Sequence, residues 1–189
     1  DVELKDITDD LCVFGLFGPK SRELLKILSK DDFDNTNFKF ATAKYIIIDG
    51  IKIWVQRLSY VGELGYELYV EFKNAKKIYE LLIDKGKNFN LSNCGMHAMD
   101  IMRMESGFLH WGHDISPEEN QYQAGLTFTI SKKKGVDFIG KKALENIKKE
   151  KTKSRFAMFT LKKSEPGKPL LLHDEPIYIN DKIIGRSTS

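Results

Sequence analysis

Alternating apolar and polar residues in the middle of the chain predict an antiparallel hairpin followed by a third strand. Two β-branched runs, "AKYIII" and "IKIWVQ", are separated by Asp49-Gly50, a pair that two-residue hairpin turns favour. The stretch "RLSYVGELGYELYV", Arg57 to Val70, then turns at its glycines and continues as a strand. A helix follows in "NAKKIYELLIDKG", because its apolar residues recur at helical spacing. The predicted order is strand, strand, strand, helix.

Further elements are predicted on both sides of this region. Before it, "VELKDIT" and "LCVFGLFG" have the pattern of two short strands, and "GPKSRELLKILS" that of a helix. After it, "GMHAMDIMRMESG" predicts a helix whose methionines pack in the core, "FLHWGHDISPEENQYQAGLTFTIS" a loop and strand, and "FIGKKALENIKKE" a further helix. From about Lys151, "SRFAMFTLKK", "KPLLLHDEPIYI" and "KIIGRSTS" predict short strands, with "IYINDKII" as a hairpin.

These elements predict an α+β protein with two domains. Residues 1–150 combine helices with a mixed or antiparallel sheet. Residues 151–189 are expected to begin a small β-barrel or sandwich, but three or four strands are too few to close one. We therefore expect the chain to stop inside its second domain.

Composition excludes several classes of protein. With 189 residues, 41% hydrophobic and 30% charged, the chain is typical of a soluble protein, and no apolar run approaches the roughly 18 residues that span a membrane. The acidic start is unlike a signal peptide. The lysine-rich stretches 132–134 and 148–155 lack interleaved aromatics, which favours solvated faces over a nucleic-acid site. The net charge of +3 fits this interpretation.

The cysteines and histidines predict neither a disulfide nor a metal site. Cys12 and Cys94 are far apart and form no CxxC motif, which favours a reducing cytoplasm. His110 and His113 are three residues apart without further nearby ligands, so no metal is predicted.

Glu67 is the first candidate for chemistry. Two-residue periodicity puts Tyr66, Leu68 and Val70 on one face of the strand, and Glu67 and Tyr69 on the other. One interpretation is an exposed sheet face. The other is a carboxylate that holds two N–H donors of a planar heterocycle, and the periodicity leaves both open.

Two more side chains suggest ligand contacts from their surroundings. Tyr60 lies at the junction of strand and loop, where its ring could stack on or hydrogen-bond the same heterocycle. Arg103 lies between Met102 and Met104 on a helix, and its spacing favours an ion pair, with Asp100 at i−3 or with the nearby Glu105, over a role in binding anions or a ring.

Five sequence blocks carry a resemblance to a known family. "LFGPKSRELL", "SYVGELGYELYV", "NCGMHAMDIMRMESGFLHWGHDI", "QAGLTFTISKKKGVDFIGKKAL" and "IIGRSTS" are similar in order and spacing to the aminomethyltransferase (glycine cleavage T-protein) family. "YVGELGYELYV" and "GFLHWGHDI" more closely resemble the folate-binding portion of dimethylglycine and sarcosine dehydrogenases and related demethylases. The resemblance implies that residues 1–150 are the C-terminal portion of a T-protein-like folate-binding domain, and that 151–189 begin its C-terminal β-barrel.

The resemblance also implies a site. It assigns pterin contacts to Tyr60 and Glu67, and further folate-binding positions to Arg103 and Trp111. The family's key acidic residue lies upstream of anything in this sequence, so no catalytic residue is identified and we expect the isolated chain to be inactive.

The function implied is transfer of an aminomethyl or methyl group to tetrahydrofolate from an amine such as a glycine adduct, dimethylglycine or sarcosine. Expected partners are the small-molecule substrate and either an FAD-containing oxidoreductase domain or a lipoyl carrier protein. The alternative is a non-catalytic folate-binding module that serves a partner enzyme. A bare scaffold is the third hypothesis, and it requires ligand binding to be independent of Glu67 and Tyr60.

Overall fold

A computed structural model describes residues 2–131, 133, 135–149, 154–163, 165–168 and 170–189. The chain forms two compact units, of which the first ends at Phe108 and the second begins at Leu109. The predicted domain division at residues 150 and 151 stays a prediction, since residues 150–153 are outside the described residues. Both lysine-rich stretches likewise include residues outside them.

The first unit is built on a four-stranded antiparallel sheet. Its strands are β1 (Leu11–Phe17), β2 (Ala43–Ile48), β3 (Ile51–Gln56) and β4 (Gly65–Glu71), arranged in the order β1-β4-β3-β2. The predicted hairpin is confirmed, and Asp49 and Gly50 at its turn both have positive φ, as a type I′ turn requires. β4 is therefore a central strand, with β1 and β3 as its neighbours.

The two faces of the sheet differ in burial. Helices α1 (Ser21–Leu28) and α2 (Phe72–Gly86) pack against one face, where Tyr66, Leu68 and Val70 of β4 are fully buried. Burial of these three side chains orients the strand, because successive side chains point to opposite faces. Glu67 and Tyr69 therefore lie on the opposite face and are half-buried, as the periodicity predicts.

The buried hydroxyl of Tyr66 is paired inside this core. Arg22 of α1 donates a hydrogen bond from Nε to the Tyr66 hydroxyl at 3.3 Å and a second from its guanidinium to Asn35 at 2.7 Å. The Tyr66 ring also contacts Phe33 and Phe38, with centroids 6.1 and 5.7 Å away. A tyrosine at this position adds aromatic packing without leaving a buried polar group unpaired.

Helix α3 (Met96–Glu105) ends the first unit, and its burial differs from the prediction. Met96 is 70% exposed and Ile101 is 54% exposed, so packing of the whole methionine stripe in the core is wrong. The fully buried side chain of this helix is Arg103. The stripe was predicted from hydrophobicity alone, which cannot show which side of a helix meets the rest of the unit.

The second unit contains α4 (Lys141–Lys149) and a hairpin of β5 (Pro176–Ile179) and β6 (Lys182–Arg186). The helix and the "IYINDKII" hairpin were predicted. Whether this hairpin begins a β-barrel stays a prediction.

Several predicted strands are wrong. "VELKDIT" is an exposed segment closed by a turn, in which the Thr8 amide donates to Asp6 Oδ1 at 2.9 Å. "TFTIS" contains a 3-10 turn at Thr127–Thr129, and the described residues 154–163 form no strand. Alternation marks a segment that can pair, but a strand needs a neighbour for its backbone groups.

The helices that the structure describes are too short or too polar to span a membrane.

The two faces should differ in their response to the same substitution. Val70→Ala should lower the free energy of unfolding by about 2 kcal/mol, because it removes fully buried methyl groups and leaves a cavity. Val13→Ala, on the other face and 50% exposed, should cost less than about 1 kcal/mol. Urea denaturation of both variants measures the difference, and equal losses would contradict the assignment of faces.

Candidate functional site

Glu67 lies near the middle of the open face of the sheet, opposite Gly15 on β1 and Gln56 on β3. The Tyr69 hydroxyl donates a hydrogen bond to Glu67 Oε2 at 2.9 Å. This bond, then burial, then the carboxylate charge raise the pKa of Tyr69 above its ordinary value. A carboxylate oxygen accepts about two hydrogen bonds, so, among the residues that the structure describes, Oε1 and the second site on Oε2 remain for two N–H donors of a ligand.

The side chains around Glu67 on this face form two rows across the sheet. The row of residues that contains Glu67 lies next to a row of aromatic and apolar residues. Across β1, β4, β3 and β2, the Glu67 row reads Gly15, Glu67, Gln56 and Ala43, and the next row reads Val13, Tyr69, Trp54 and Tyr45. The Tyr45 and Trp54 rings contact edge to face, with centroids 4.8 Å apart. A carboxylate beside a row of aromatic side chains suits the edge of a flat ligand.

Tyr60 belongs to the loop between β3 and β4. Its ring stacks on Phe108, with centroids 6.3 Å apart and planes 19° apart. Gly62 in this loop has φ +75°, and a Cβ atom there would collide with Ser106 beyond the end of α3. Ser106 Oγ also donates to the Val61 carbonyl at 3.4 Å. The loop is therefore fixed against the end of α3, which orients Tyr60.

Arg103 is 2% exposed and is held within the same region. Its Nε and Nη2 lie 2.7 and 2.6 Å from Oδ1 of Asp100, and Nη1 donates to the Phe108 carbonyl at 3.2 Å. The ion pair at i−3, favoured by the spacing, is confirmed. Arg103 thereby fixes the backbone of Phe108, whose ring stacks on Tyr60.

Short contacts link Tyr60 to Arg103, and they link the loop that carries Tyr60 to the start of β4. Tyr60 and Arg103 both contact Phe108. Ser59, next to Tyr60, packs beside Gly65, since a Cβ on Gly65 would lie 2.8 Å from the Cβ of Ser59. Gly65 precedes Glu67 by two residues on the same face of β4.

Trp111 lies in the second unit, on a tightly closed loop. Its side chain is 65% exposed, and it forms an isolated bridge with Ile115. Asp114 closes the loop, because Oδ2 accepts the His110 amide at 2.8 Å and Oδ1 accepts the Thr188 hydroxyl at 2.8 Å. The loop geometry therefore turns the indole outward.

The sequence patterns assigned no function to two side chains that shape the candidate site, Tyr69 and Asp114. Tyr69 shares a strand face with Glu67 at i+2, and this spacing was a signal that it could contact the carboxylate. Asp114 is buried, and its place in the block "GFLHWGHDI" was a signal that set it apart from an ordinary loop aspartate. In the part of the chain that the structure describes, no group of three or more His, Cys, Asp or Glu could hold a metal ion.

The Tyr69–Glu67 hydrogen bond should be visible in a pH titration. Because the folded-state pKa of Tyr69 is raised, the bond stabilises the fold below the ordinary tyrosine pKa of about 10, and this stability is lost as pH rises through the raised value. Carbon-13 NMR of the tyrosine Cζ atoms, assigned with Tyr69→Phe, should show Tyr69 titrating above free tyrosine. Glu67→Gln should lower the midpoint, and an unchanged midpoint would contradict the assigned cause.

The Asp100–Arg103 ion pair should contribute more to the free energy of unfolding than an exposed ion pair does. Asp100→Asn should lower the free energy of unfolding by about 1–3 kcal/mol, since it weakens the compensation of a buried guanidinium by a half-exposed carboxylate. Asp34→Asn is the control, because Asp34 pairs with Lys26 at 2.7 Å on the surface and should contribute under about 1 kcal/mol. Similar losses in chemical denaturation would show that burial of Arg103 does not strengthen its pair.

Comparisons with known proteins agree with the resemblance carried by the sequence blocks. Residues 1–134 match the GCVT N-terminal domain family. Human mitochondrial dimethylglycine dehydrogenase is 35% identical over 189 residues, covering 100% of this chain and 22% of the relative. An aminomethyltransferase of Symbiobacterium thermophilum is 36% identical over 151 residues, covering 79% of this chain and 40% of the relative.

A solved structure shares the architecture. The glycine cleavage system aminomethyltransferase T of Bartonella henselae superposes with a TM-score of 0.61 at 25% identity, covering 74% of this chain and 37% of that protein. The chain thus spans about a fifth of the dehydrogenase's length and under half of either aminomethyltransferase. The matched residues make up most of the chain, and the protein belongs to the GCVT N-terminal domain family, the family of the glycine cleavage T-proteins.

Proposed function

We propose that this chain binds tetrahydrofolate, and that it supplies the folate-binding part of an enzyme that transfers a one-carbon unit from an amine. The observation that carries the proposal is the Glu67 carboxylate, half-buried on the open sheet face and oriented by Tyr69. A carboxylate can accept more hydrogen bonds than the single one from Tyr69, so it can also take N–H donors of a ligand. Family membership makes a reduced folate the first ligand to consider.

The donors and acceptors of the site fit a pterin. The pyrimidine half of a pterin presents a ring N–H beside an exocyclic amino group, which are two parallel donors for one carboxylate. Two such bonds fix the orientation of the ring as well as its identity. Bound tetrahydrofolate would supply the nitrogen that accepts the one-carbon unit. The Glu67 carboxylate therefore matches the N–H groups along the pyrimidine edge of the pterin.

Tyr60 and Arg103 support the proposal in different ways. Tyr60 offers an aromatic face that its stacking on Phe108 holds in place. Arg103 is engaged with Asp100 and Phe108, so we assign it the role of positioning this region, with any folate contact secondary. Trp111, exposed on its own loop, is proposed as a further folate contact on the family pattern alone.

The donor amine and the partners follow from the kinds of protein that the chain resembles. Relatives include dimethylglycine and sarcosine dehydrogenases and aminomethyltransferases, which favours a small methylated amine or an aminomethyl group as the source of the one-carbon unit. The proposed partner is an FAD-containing oxidoreductase domain, with a lipoyl carrier protein as the counterpart in a glycine-cleaving system. We also propose that the protein is located in the cytoplasm.

The proposal predicts that Glu67→Gln weakens tetrahydrofolate binding by tenfold or more, about 1.4 kcal/mol, because the amide replaces an acceptor with a donor that opposes the ligand's N–H groups. Isothermal titration calorimetry under anaerobic conditions, with the chain and tetrahydrofolate, measures the change. Circular dichroism of both proteins shows that the fold is retained.

Glu71→Gln is the matched control. Glu71 lies on the same face of the same strand, exposed at its end and paired with Lys73, so its substitution should leave the affinity unchanged. Equal affinity of wild type and Glu67→Gln would remove Glu67 from the site. If neither protein bound tetrahydrofolate, the proposed function would fail for this chain.

A further inference from the structure

Phe17 occupies the space above two glycines on the open sheet face. A Cβ atom on Gly15 would lie 2.7 Å from both Cε2 and Cζ of Phe17, and one on Gly65 would lie 2.4 Å from its Cδ1. Contacts this short do not occur in folded proteins, so the ring takes the place that side chains at both positions would need. The ring therefore lies low across the two glycines.

The register of the sheet places this ring beside Glu67. Gly15 on β1 is directly opposite Glu67 on β4, and Phe17 is directly opposite Gly65. Residues two apart on a strand share a face, so all four positions belong to the face that carries the carboxylate. Phe17 is half-buried, which leaves part of its surface for a further contact.

Glycine is otherwise unfavourable in the interior of a strand, because it adds backbone entropy to the unfolded state and packs nothing. Neither Gly15 nor Gly65 has the positive φ that would require glycine. The reason for glycine at both positions is steric, since each makes room for the Phe17 ring and Gly65 also makes room for Ser59. A flat aromatic surface next to a carboxylate is the pair of features that holds a planar heterocycle by its face and its edge.

We propose that Phe17 is a ring-stacking contact for the pterin whose edge Glu67 binds, and that Gly15 and Gly65 keep this ring low enough to stack. The inference rests on the proposed function and adds to it a specificity-determining residue for the ring portion of the ligand.

Three substitutions test the inference by anaerobic calorimetry. Phe17→Leu keeps an apolar side chain but removes the flat ring, and it should weaken binding of tetrahydrofolate about threefold to tenfold. Phe17→Tyr keeps the ring and should bind within about twofold of wild type. Phe14→Leu makes the same change on the core face of the same strand, where Phe14 contacts Tyr79, and should leave the affinity unchanged.

A second ligand separates ring stacking from contact with the rest of the folate. 6-Methyltetrahydropterin has the ring system and lacks the aminobenzoyl-glutamate tail, so Phe17→Leu should weaken its binding by the same factor. A loss seen with tetrahydrofolate and absent with the pterin would overturn ring stacking.

The outcomes also separate this inference from the proposed function. If Glu67→Gln weakens binding while Phe17→Leu binds as wild type does, the stacking role is overturned and the folate site stands. If wild type binds and Glu67→Gln has no effect, Glu67 is removed from the site and the stacking contact beside it is overturned. If wild type does not bind tetrahydrofolate, both are overturned. If Phe17→Tyr loses as much affinity as Phe17→Leu, keeping an aromatic ring does not keep the affinity, and the stacking role is again overturned.

Discussion

Burial of one face of β4 is the constraint on which the rest of the first unit depends. Tyr66, Leu68 and Val70 are fully buried beneath the two helices, and β4 is hydrogen-bonded on both sides. A shift of one residue would expose these side chains and bury Glu67 and Tyr69, so the hydrophobic effect fixes the register strongly. The position of the Glu67 carboxylate is thus a consequence of core packing.

Local contacts convert that position into a candidate site. Tyr69 orients the carboxylate through one hydrogen bond. Gly15 and Gly65 lower the sheet surface beside the carboxylate, so that Phe17 lies across it. Pre-organisation of this kind reduces the entropy lost when a ligand binds.

The loop between β3 and β4 links this face to the end of α3. Gly62 allows the loop to approach Ser106 closely, and Phe108 receives both the Tyr60 ring and a hydrogen bond from Arg103. Arg103 is compensated by Asp100, which makes its burial tolerable. A residue assigned to ligand binding by family resemblance therefore has a structural role here that is evident from its own contacts.

The sequence by itself determined the hairpin at Asp49-Gly50, the separation of Glu67 from Tyr66, Leu68 and Val70, and the pairing of Arg103 with a carboxylate of its own helix. Each follows from neighbours within a few residues, where turn chemistry, two-residue alternation and helical spacing act directly. Only the tertiary structure decided that β1 pairs with β4, that Phe17 lies across two glycines beside Glu67, and that Met96 is exposed while Arg103 is buried. These features join residues far apart in the chain, and they are set by which surfaces pack together, which local pattern does not specify.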